Sequence, residues 1–482
     1  MSKENLLSIR GNPYDLIETF RWILKHTIYD LLYPLILFMF VLSIFELINV
    51  YLMLLVICEV IVILSYFFFY WIRSKRTQEK NIGNYDKKCK WRSQILNTID
   101  ERDIIYEIGF VGDIMKMKKY KLKFGNNINN FFKGVDLMVG NLEGIINDKK
   151  TINIIKQKHR SAILKDLKKI TAPTPKWLLC ISNNHSADFK DYYFYKTRDF
   201  IDSNCGFQAF GYKNKEYYSP KKRINIVSGT MWNNYKNDYV SQFREVNTFY
   251  DPNCFNILYP HWHFENECYI RSKIKERCRK LLTEGVYYDF KKYLPKKLQR
   301  KPIKKYQKKP NISAKWDLIF GHHTHVPQPI VNVPPPNNLN QTHLLAYSGG
   351  NFTSSKWIGK HQHGLILRCQ IAKKNDEDSL AIRRIDWSYT ECTRDRKAKT
   401  VQVDIDVTHN YKNSYDFRVT KTLKNILIVS IFYFIATIIF SELFSIPILK
   451  ILDVFIKSIS IIGIQFIAVW AISRILFKYK YL

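Results

Sequence analysis

Two long apolar stretches, one near each end of the chain, constrain its architecture more than any other feature. Residues 31–71 are almost continuously apolar and are interrupted by Glu46, Asn49 and Glu59. About 40 residues exceed a single membrane span and match two helices of about 20 residues joined by a tight turn. The stretch starts too late and runs too long for a signal peptide. It therefore predicts a transmembrane hairpin over residues 28–72.

The C-terminal region predicts a second hairpin over residues 425–478. Its two apolar runs, 426–440 and 459–477, flank a short segment that contains Glu442, Pro447 and Lys450. Buried helices of a soluble protein are the alternative, which the length and uniformity of the runs disfavour. Two hairpins would place both termini and the central region on one side of the membrane. Lys and Arg residues flank that side, which predicts a multi-pass integral membrane protein of about four helices with a cytoplasmic soluble domain.

The strong positive charge of the chain predicts an anionic partner. The 482 residues include 75 Lys+Arg against 42 Asp+Glu, a net charge of +33. Lipid headgroups, nucleic acid and phosphorylated substrates would all be attracted. Residues 291–309 form a basic insertion, which we interpret as a solvated surface segment or a contact for anionic lipid. We do not expect nucleic acid as a partner, because no recognition module is present in the sequence.

Between the two hairpins the sequence predicts one α/β domain. Short apolar runs bounded by turn residues are typical of buried strands. They cover residues 104–111, 137–139, 178–181, 224–227, 254–259, 318–320 and 344–347. Segments 191–203 and 270–283 fit helices between them. The predicted organisation is a basic segment (1–27), a hairpin (28–72), a linker (73–104), the domain (105–407), a second linker (408–424) and the second hairpin (425–478).

Polar residues follow five of the predicted strands. The five segments are Gly112-Asp113, Gly140-Asn141-Leu142-Glu143, Asn183-Asn184-His185, His261-Trp262-His263-Phe264-Glu265 and Gly321-His322-His323-Thr324-His325. Side chains at successive strand ends can converge on one crevice of an α/β sheet. Imidazole nitrogens suit Zn, Fe or Mn, and carboxylate and amide oxygens suit harder cations. The nine cysteines contain no CxxC pair, which argues against a zinc ribbon.

Each of these segments has an ordinary structural explanation when it is taken alone. Gly-Asp at a strand end is usually a turn, Asn-Asn-His is a frequent loop composition, and His-Trp-His fits an aromatic core cluster. The segment after the 318–320 strand is harder to dismiss, because alternate residues of an extended chain face the same side. That alternation favours His323 and His325 as a pair. The conjunction of all five segments favours a site for two divalent metal ions.

The order of these segments, followed by Ser348-Gly349-Gly350-Asn351-Phe352, resembles the CapA family of poly-γ-glutamate capsule synthesis proteins. That family is a branch of the calcineurin-like metallophosphatase superfamily. The resemblance spans about residues 105–390 and omits the apolar ends. It implies an α/β, four-layer sandwich of two mixed β-sheets flanked by helices. Two positions depart from the expected pattern: Met115 stands where conventional metallophosphatases have a histidine, and His263 replaces a glycine.

The resemblance also implies roles for individual residues. The implied metal ligands are Asp113, Glu143, Asn184, His261, His323 and His325. Asp113 would bind the first ion together with His325, Glu143 would bridge the two ions, and the others would hold the second ion. His185 would be the catalytic general acid. The residues expected to contact the substrate or support the ligands are Asn141, Asn183, His322, Glu265 and Asn351.

Two functions remain open from the sequence. The first is a hydrolase that uses two divalent ions (Mn, Zn or Fe) on a phosphoester or related bond, linked to a polyanionic capsule or cell-envelope polymer. The second is a non-catalytic assembly or export component for a poly-γ-glutamate-type polymer, with a structural or vestigial metal site. In either case the expected partners are membrane lipids, an anionic substrate or polymer, and membrane proteins of a polymer synthase.

Overall fold

The computed structural model of the protein describes residues 81–149, 156–171, 173–232, 238–263, 265, 270, 272–283, 315–334, 342–355, 359–374 and 379–408. This part of the chain is mostly β-structure. Its strands are Asn84–Asp86 (β1), Trp91–Ile95 (β2), Ile104–Ile114 (β3), Lys121–Phe124 (β4), Leu137–Leu142 (β5), Ile145–Ile146 (β6), Lys158–His159 (β7), Lys176–Cys180 (β8), Phe207–Phe210 (β9), Tyr217–Tyr218 (β10), Ile224–Thr230 (β11), Phe255–His261 (β12), Leu318–Phe320 (β13), Ile330–Val333 (β14), His343–Ala346 (β15), Asn351–Thr353 (β16), His363–Lys373 (β17), Leu380–Asp395 (β18) and Thr400–Ile405 (β19). All seven apolar runs that the sequence predicted as strands lie in or overlap these strands.

The described helices are short. The α-helices are Asn126–Phe131 (α1), Ala162–Leu167 (α2), Asp191–Ser203 (α3) and Ser272–Thr283 (α4), and 3-10 turns cover Glu101–Asp103, Phe243–Phe249 and Gly359–Gln362. Helix α3 has the bounds that the sequence predicted. Its residues Phe194, Thr197 and Ile201 are buried, and their spacing of three and four places them on one face of the helix.

Two mixed sheets form the body of the fold. The larger, eleven-stranded sheet runs β1-β2-β18-β17-β3-β5-β8-β9, with β16 beside β3 and with β19 pairing both β18 and β4. The smaller sheet runs β10-β11-β12-β13-β15-β14. Strands β3, β5, β8 and β9 are parallel to one another, as are β11, β12, β13 and β15. Parallel strands buried on both faces are apolar almost throughout, as in β12.

The two sheets pack face to face over a shared apolar core. Phe110 of β3 stacks on Phe320 of β13 with ring centroids 5.5 Å apart, and Tyr259 of β12 lies 6.0 Å from the same Phe320 ring. Residues of α1, α2 and α3 pack on the outer face of the larger sheet. Residues of α4 and of the Phe243–Phe249 turn pack on the outer face of the smaller sheet. The parallel strands of both sheets therefore lie at the centre of the packed layers.

The predicted fold class and membrane location need correction. The predicted α/β class was wrong, because the described residues are mostly β-structure and contain few helices. Among the described residues no helix is both long and apolar enough to cross a membrane, which contradicts the predicted multi-pass integral membrane protein with a cytoplasmic domain. The longest described helix, Asp191–Ser203, has 13 residues, whereas a span needs about 20. The apolar stretches 28–72 and 425–478 and the basic insertion 291–309 lie outside the described residues.

One further difference concerns the stretch 73–104, which the sequence predicted as a linker. Strands β1 and β2 fall within it, and β2 pairs with β18 in the larger sheet. Arg92 of β2 is buried and its guanidinium lies 5.6 Å from the Trp387 ring centroid. Short strands such as β1 and β2 resemble a linker in sequence because few of their residues are apolar. The first described part of the chain is therefore integrated into the sheet.

A close backbone contact between β3 and the residues before β16 requires glycine at position 112. A methyl group there would collide with the carbonyl oxygen of Gly350 and lie 2.7 Å from the carbonyl carbon of Gly349. The backbone N–H of Asp113 donates to that same Gly350 oxygen at 2.7 Å. This contact fixes the backbone that carries Asp113.

We expect Gly112→Ala to lower the free energy of unfolding by about 1–3 kcal/mol, because the added methyl overpacks a rigid backbone contact. Urea denaturation measures the loss. Gly134→Ala is the control, since nothing lies within 4 Å of its added methyl and only its positive φ of 85° imposes strain. Gly112→Ala should also weaken metal binding, whereas Gly134→Ala should not. Equal metal affinity in both variants would contradict this role of Gly112.

Candidate metal centre

The polar residues singled out in the sequence lie at the carboxyl ends of parallel strands from both sheets. Asp113 lies near the end of β3, and Asn141 pairs with it in register on β5. His261 ends β12, and the segment 321–325 follows β13. Asn351 begins β16, where it also pairs in register with Asp113. The carboxyl ends of parallel strands meet at one edge, so these side chains converge where the two sheets adjoin.

The first group of candidate ligands consists of Asp113, His261 and His322, all of which are buried. One ligand atom from each lies within 4.8 Å of the others. The Nδ1 atoms of His261 and His322 are 2.9 Å apart, and His322 Nδ1 lies 3.2 Å from Asp113 Oδ1. Two imidazole nitrogens facing each other at this distance need a proton or a cation between them. The donor set suits a borderline metal such as zinc.

Asn184 lies beside His261. Its side-chain oxygen is 3.0 Å from His261 Nε2, close enough to accept a hydrogen bond from it. A carbonyl oxygen in this position can hold the ring nitrogen that is not a ligand, while Nδ1 faces His322. The role of Asn184 as a ligand itself stays a prediction.

His322 supplies a test of whether a cation fits the group. Its Nδ1 is the nitrogen that faces Asp113 and His261, whereas its Nε2 lies on the opposite side of the ring. Two neutral imidazoles and one ionised carboxylate that face each other at these distances form a donor set suited to a divalent cation.

The second group of candidate ligands consists of Asp113, Glu143 and His325, which are also buried. His325 Nδ1 lies 3.4 Å from Asp113 Oδ2, and its Nε2 lies 3.5 Å from Glu143 Oε1. Asn351 Oδ1 lies 3.1 Å from the same Nδ1, and the Asn351 amide donates to the His361 carbonyl. Asp113 is therefore the member common to both groups, a position that the family resemblance had implied for Glu143.

A hydrogen-bond network holds the Asp113 carboxylate in place. Asn141 Nδ2 donates to Asp113 Oδ1 at 2.8 Å, and the backbone N–H of His323 donates to Oδ2 at 3.0 Å. Asn183 Nδ2 in turn donates to the Asn141 oxygen at 3.1 Å. Asn141 and Asn183 thus position the shared carboxylate.

The electrostatics of the first group give its members the protonation states of ligands. Burial alone would raise the pKa of Asp113, but hydrogen bonds and charges from His322 and His325 outweigh it and hold that pKa well below its usual range. Burial, and then the rings of His323 and His322, hold the pKa of His261 well below its usual range. Burial also lowers the pKa of His322, against the attraction of Asp113. An ionised carboxylate and neutral imidazoles are the forms that bind a metal ion.

The segment after β13 is not extended, and this affects the choice between His322 and His323. His323 and His325 have φ values of 96° and 58°, in the left-handed region. Alternation of side chains applies only to an extended backbone, so it does not decide which histidine faces the site. His322 lies in the first group, while the ring of His323 lies 4.3 Å from the His261 ring. His323 therefore lines the site beside the ligands.

His185 lies between two carboxylates. Its Nδ1 is 2.5 Å from Asp188 Oδ2, and its Nε2 is 3.5 Å from Glu143 Oε1. Asp188 also accepts a hydrogen bond from the backbone N–H of Gln157 at 2.7 Å, which fixes the carboxylate. Reasoning from the sequence missed Asp188. Its spacing of three residues after His185 was the available signal, because a turn at that spacing brings the two side chains together.

Glu265, another predicted supporting residue, belongs to neither ligand group. It lies in a turn after β12 and is half-buried. His263, which replaces a glycine of the family pattern, packs against Trp262. Its ring stacks on the Trp262 ring at 4.1 Å, and its Nε2 lies 3.4 Å from Cys278 Sγ of α4.

The described residues thus contain two groups of buried His, Asp and Glu side chains that could hold metal ions. A scan against protein-family models finds no match, and a search of curated proteins finds none either.

Proposed function

We propose that the protein is a metal-dependent hydrolase of phosphoester or related bonds that uses two divalent cations. The observation that carries this proposal is the pair of buried ligand groups that share Asp113. Mixed imidazole and carboxylate donors favour Mn, Zn or Fe over Mg or Ca. When bound, two such ions supply Lewis acidity that activates water and stabilises charge developing at phosphorus. The motif order supports kinship with the CapA and metallophosphatase families.

Side chains of the protein have the other roles in the proposed reaction. Asp113 would offset part of the cation charge, since it belongs to both ligand groups. Asp188 accepts a hydrogen bond from His185 Nδ1 and so directs Nε2 toward Glu143. When the ring carries a second proton, Nε2 can give it to a departing oxygen, as a general acid does. The net charge of +33 favours an anionic substrate, in keeping with a phosphoester or an envelope polyanion.

Turnover of simple phosphoesters by the full chain tests the proposal. We expect protein loaded with Mn²⁺ or Zn²⁺ to hydrolyse p-nitrophenyl phosphate or bis-p-nitrophenyl phosphate, to lose this activity on treatment with a chelator, and to regain it when the ion is restored. If the protein bound metal but hydrolysed neither substrate with Mn²⁺ or with Zn²⁺, the result would contradict the proposed hydrolase activity. It would favour a non-catalytic component of polymer assembly.

A further inference from the structure

We propose that a cleft beside α3 binds a planar heterocyclic part of the substrate, such as the base of a nucleotide; this rests on the proposed hydrolase function. The cleft has a volume of about 530 Å³, which lies within the usual range for small-molecule sites. It is lined by side chains from α3, from residues 212–214 and from residues 238–239. None of these residues belongs to the metal centre.

The first feature of the cleft is its set of flat surfaces. The rings of Tyr195 and Tyr239 have centroids 5.7 Å apart. The guanidinium of Arg198 lies 5.1 Å from the Tyr195 ring and 5.7 Å from the Tyr212 ring. Tyr195 is 41% exposed. Stacking of a ligand on its ring would be favourable, because it would remove apolar surface from water. Aromatic rings and arginine planes on an accessible wall are the surfaces on which nucleobases stack.

The second feature is a mixed set of polar groups around those surfaces. Asp191 and Asp238 offer carboxylate oxygens as acceptors, while Lys213 and Asn214 offer donors. The edge of a nucleobase carries both amino donors and ring-nitrogen or carbonyl acceptors, so it complements such a wall. A chain of carboxylates, such as poly-γ-glutamate, has no ring to stack, and it gains no net attraction because the two cations of the cleft, Arg198 and Lys213, are balanced by its two carboxylates. The chemistry of the cleft therefore favours a heterocycle over a plain polyanion.

The third feature is the connection between the cleft and the metal centre. Asp191, which lines the cleft, lies three residues after Asp188, the partner of His185. On the other wall, Tyr239 lies two residues before Ser241, whose carbonyl accepts a hydrogen bond from Ser182 Oγ at 2.7 Å. Ser182 directly precedes Asn183 of the network around Asp113. Both walls are thus built on the segments that carry the proposed general acid and the ligand network.

Nucleoside binding tests the cleft independently of phosphoester hydrolysis. We expect the full-chain protein to bind adenosine or uridine, measured by calorimetry, and Tyr195→Ala to weaken this binding by about 10-fold or more, the effect typical of a lost stacking ring. Tyr195→Phe should retain the affinity, because it keeps the ring. Tyr192→Ala is the matched control, since Tyr192 is 64% exposed on the same helix and does not line the cleft.

Turnover links the cleft to the hydrolase. With the metal-loaded full chain, adenosine 5′-monophosphate should have a kcat/KM at least about 10-fold above that of ribose 5-phosphate, and Tyr195→Ala should remove most of this preference. Binding of neither nucleoside, or equal kcat/KM for the two phosphates, would overturn the cleft proposal. Absence of turnover of both phosphates, with nucleoside binding intact, would instead count against the hydrolase, so the two failures are distinguishable.

Discussion

Replacing Asp113 by asparagine is expected to lower the affinity for Mn²⁺ or Zn²⁺ by more than about 100-fold and to abolish metal-dependent turnover. Asp113 is the member common to both ligand groups. Asparagine keeps the size of the side chain but removes its negative charge and one ligand oxygen. Loss of a residue that merely supports a ligand already costs about 10–100-fold, so loss of a shared ligand should exceed that range.

Asp166→Asn provides the control for this substitution. Asp166 is also a buried carboxylate, and its Oδ2 accepts a hydrogen bond from the backbone N–H of Leu122 at 3.1 Å. It belongs to neither ligand group. Equilibrium dialysis against the metal ion measures the affinity of both variants, and circular dichroism confirms that they fold. Wild-type affinity in Asp113→Asn would contradict the role of this carboxylate.

Replacing His185 by glutamine is expected to lower kcat by about 10²–10⁴-fold, the usual contribution of a general acid, while metal affinity changes little. The reason is geometric, because His185 is not part of either ligand group but lies 3.5 Å from Glu143 of the second group. Glutamine can still donate a hydrogen bond but cannot transfer a proton at neutral pH. A loss of kcat without a loss of metal affinity distinguishes a proton donor from a metal ligand.

His343→Gln is the matched control for the kcat measurement. His343 is a buried histidine at the start of β15, and its Nδ1 lies 4.0 Å from Asp317 Oδ1. It has no part in the metal centre, so the same substitution there should leave kcat within a few-fold of wild type. An unchanged kcat in His185→Gln, or an equal loss in His343→Gln, would rule out His185 as the general acid.

Much of the strand framework could be predicted from the sequence, because parallel strands that are buried on both faces leave a direct apolar signature. The runs 224–227 and 318–320 are examples, and each lies in a strand of the smaller sheet. Since strand ends carry ligands in such sheets, the positions of Asp113, His261 and His325 near the centre followed from the same pattern. Strands β1 and β2 left no such signature, because they are short and most of their residues are polar, as in a loop.

The remaining errors and omissions have identifiable physical causes. Whether His322 or His323 faces the site depends on the positive φ values after β13. A prediction that assumes an extended backbone does not include them. Asp188 gains its role from a turn that brings it to His185, so no strand pattern marks it. The membrane prediction relied on the apolar character of segments alone, and the helices that the structure describes give it no support.

Anomalous diffraction from crystals of the full chain soaked in Mn²⁺ or Zn²⁺ tests the metal centre most directly. Two peaks are expected, one bounded by Asp113, His261 and His322 and the other by Asp113, Glu143 and His325. Their separation should be about 3.5–4 Å, the spacing of catalytic metal pairs. Absence of a peak at both positions, with the ion bound elsewhere or not at all, would contradict the account.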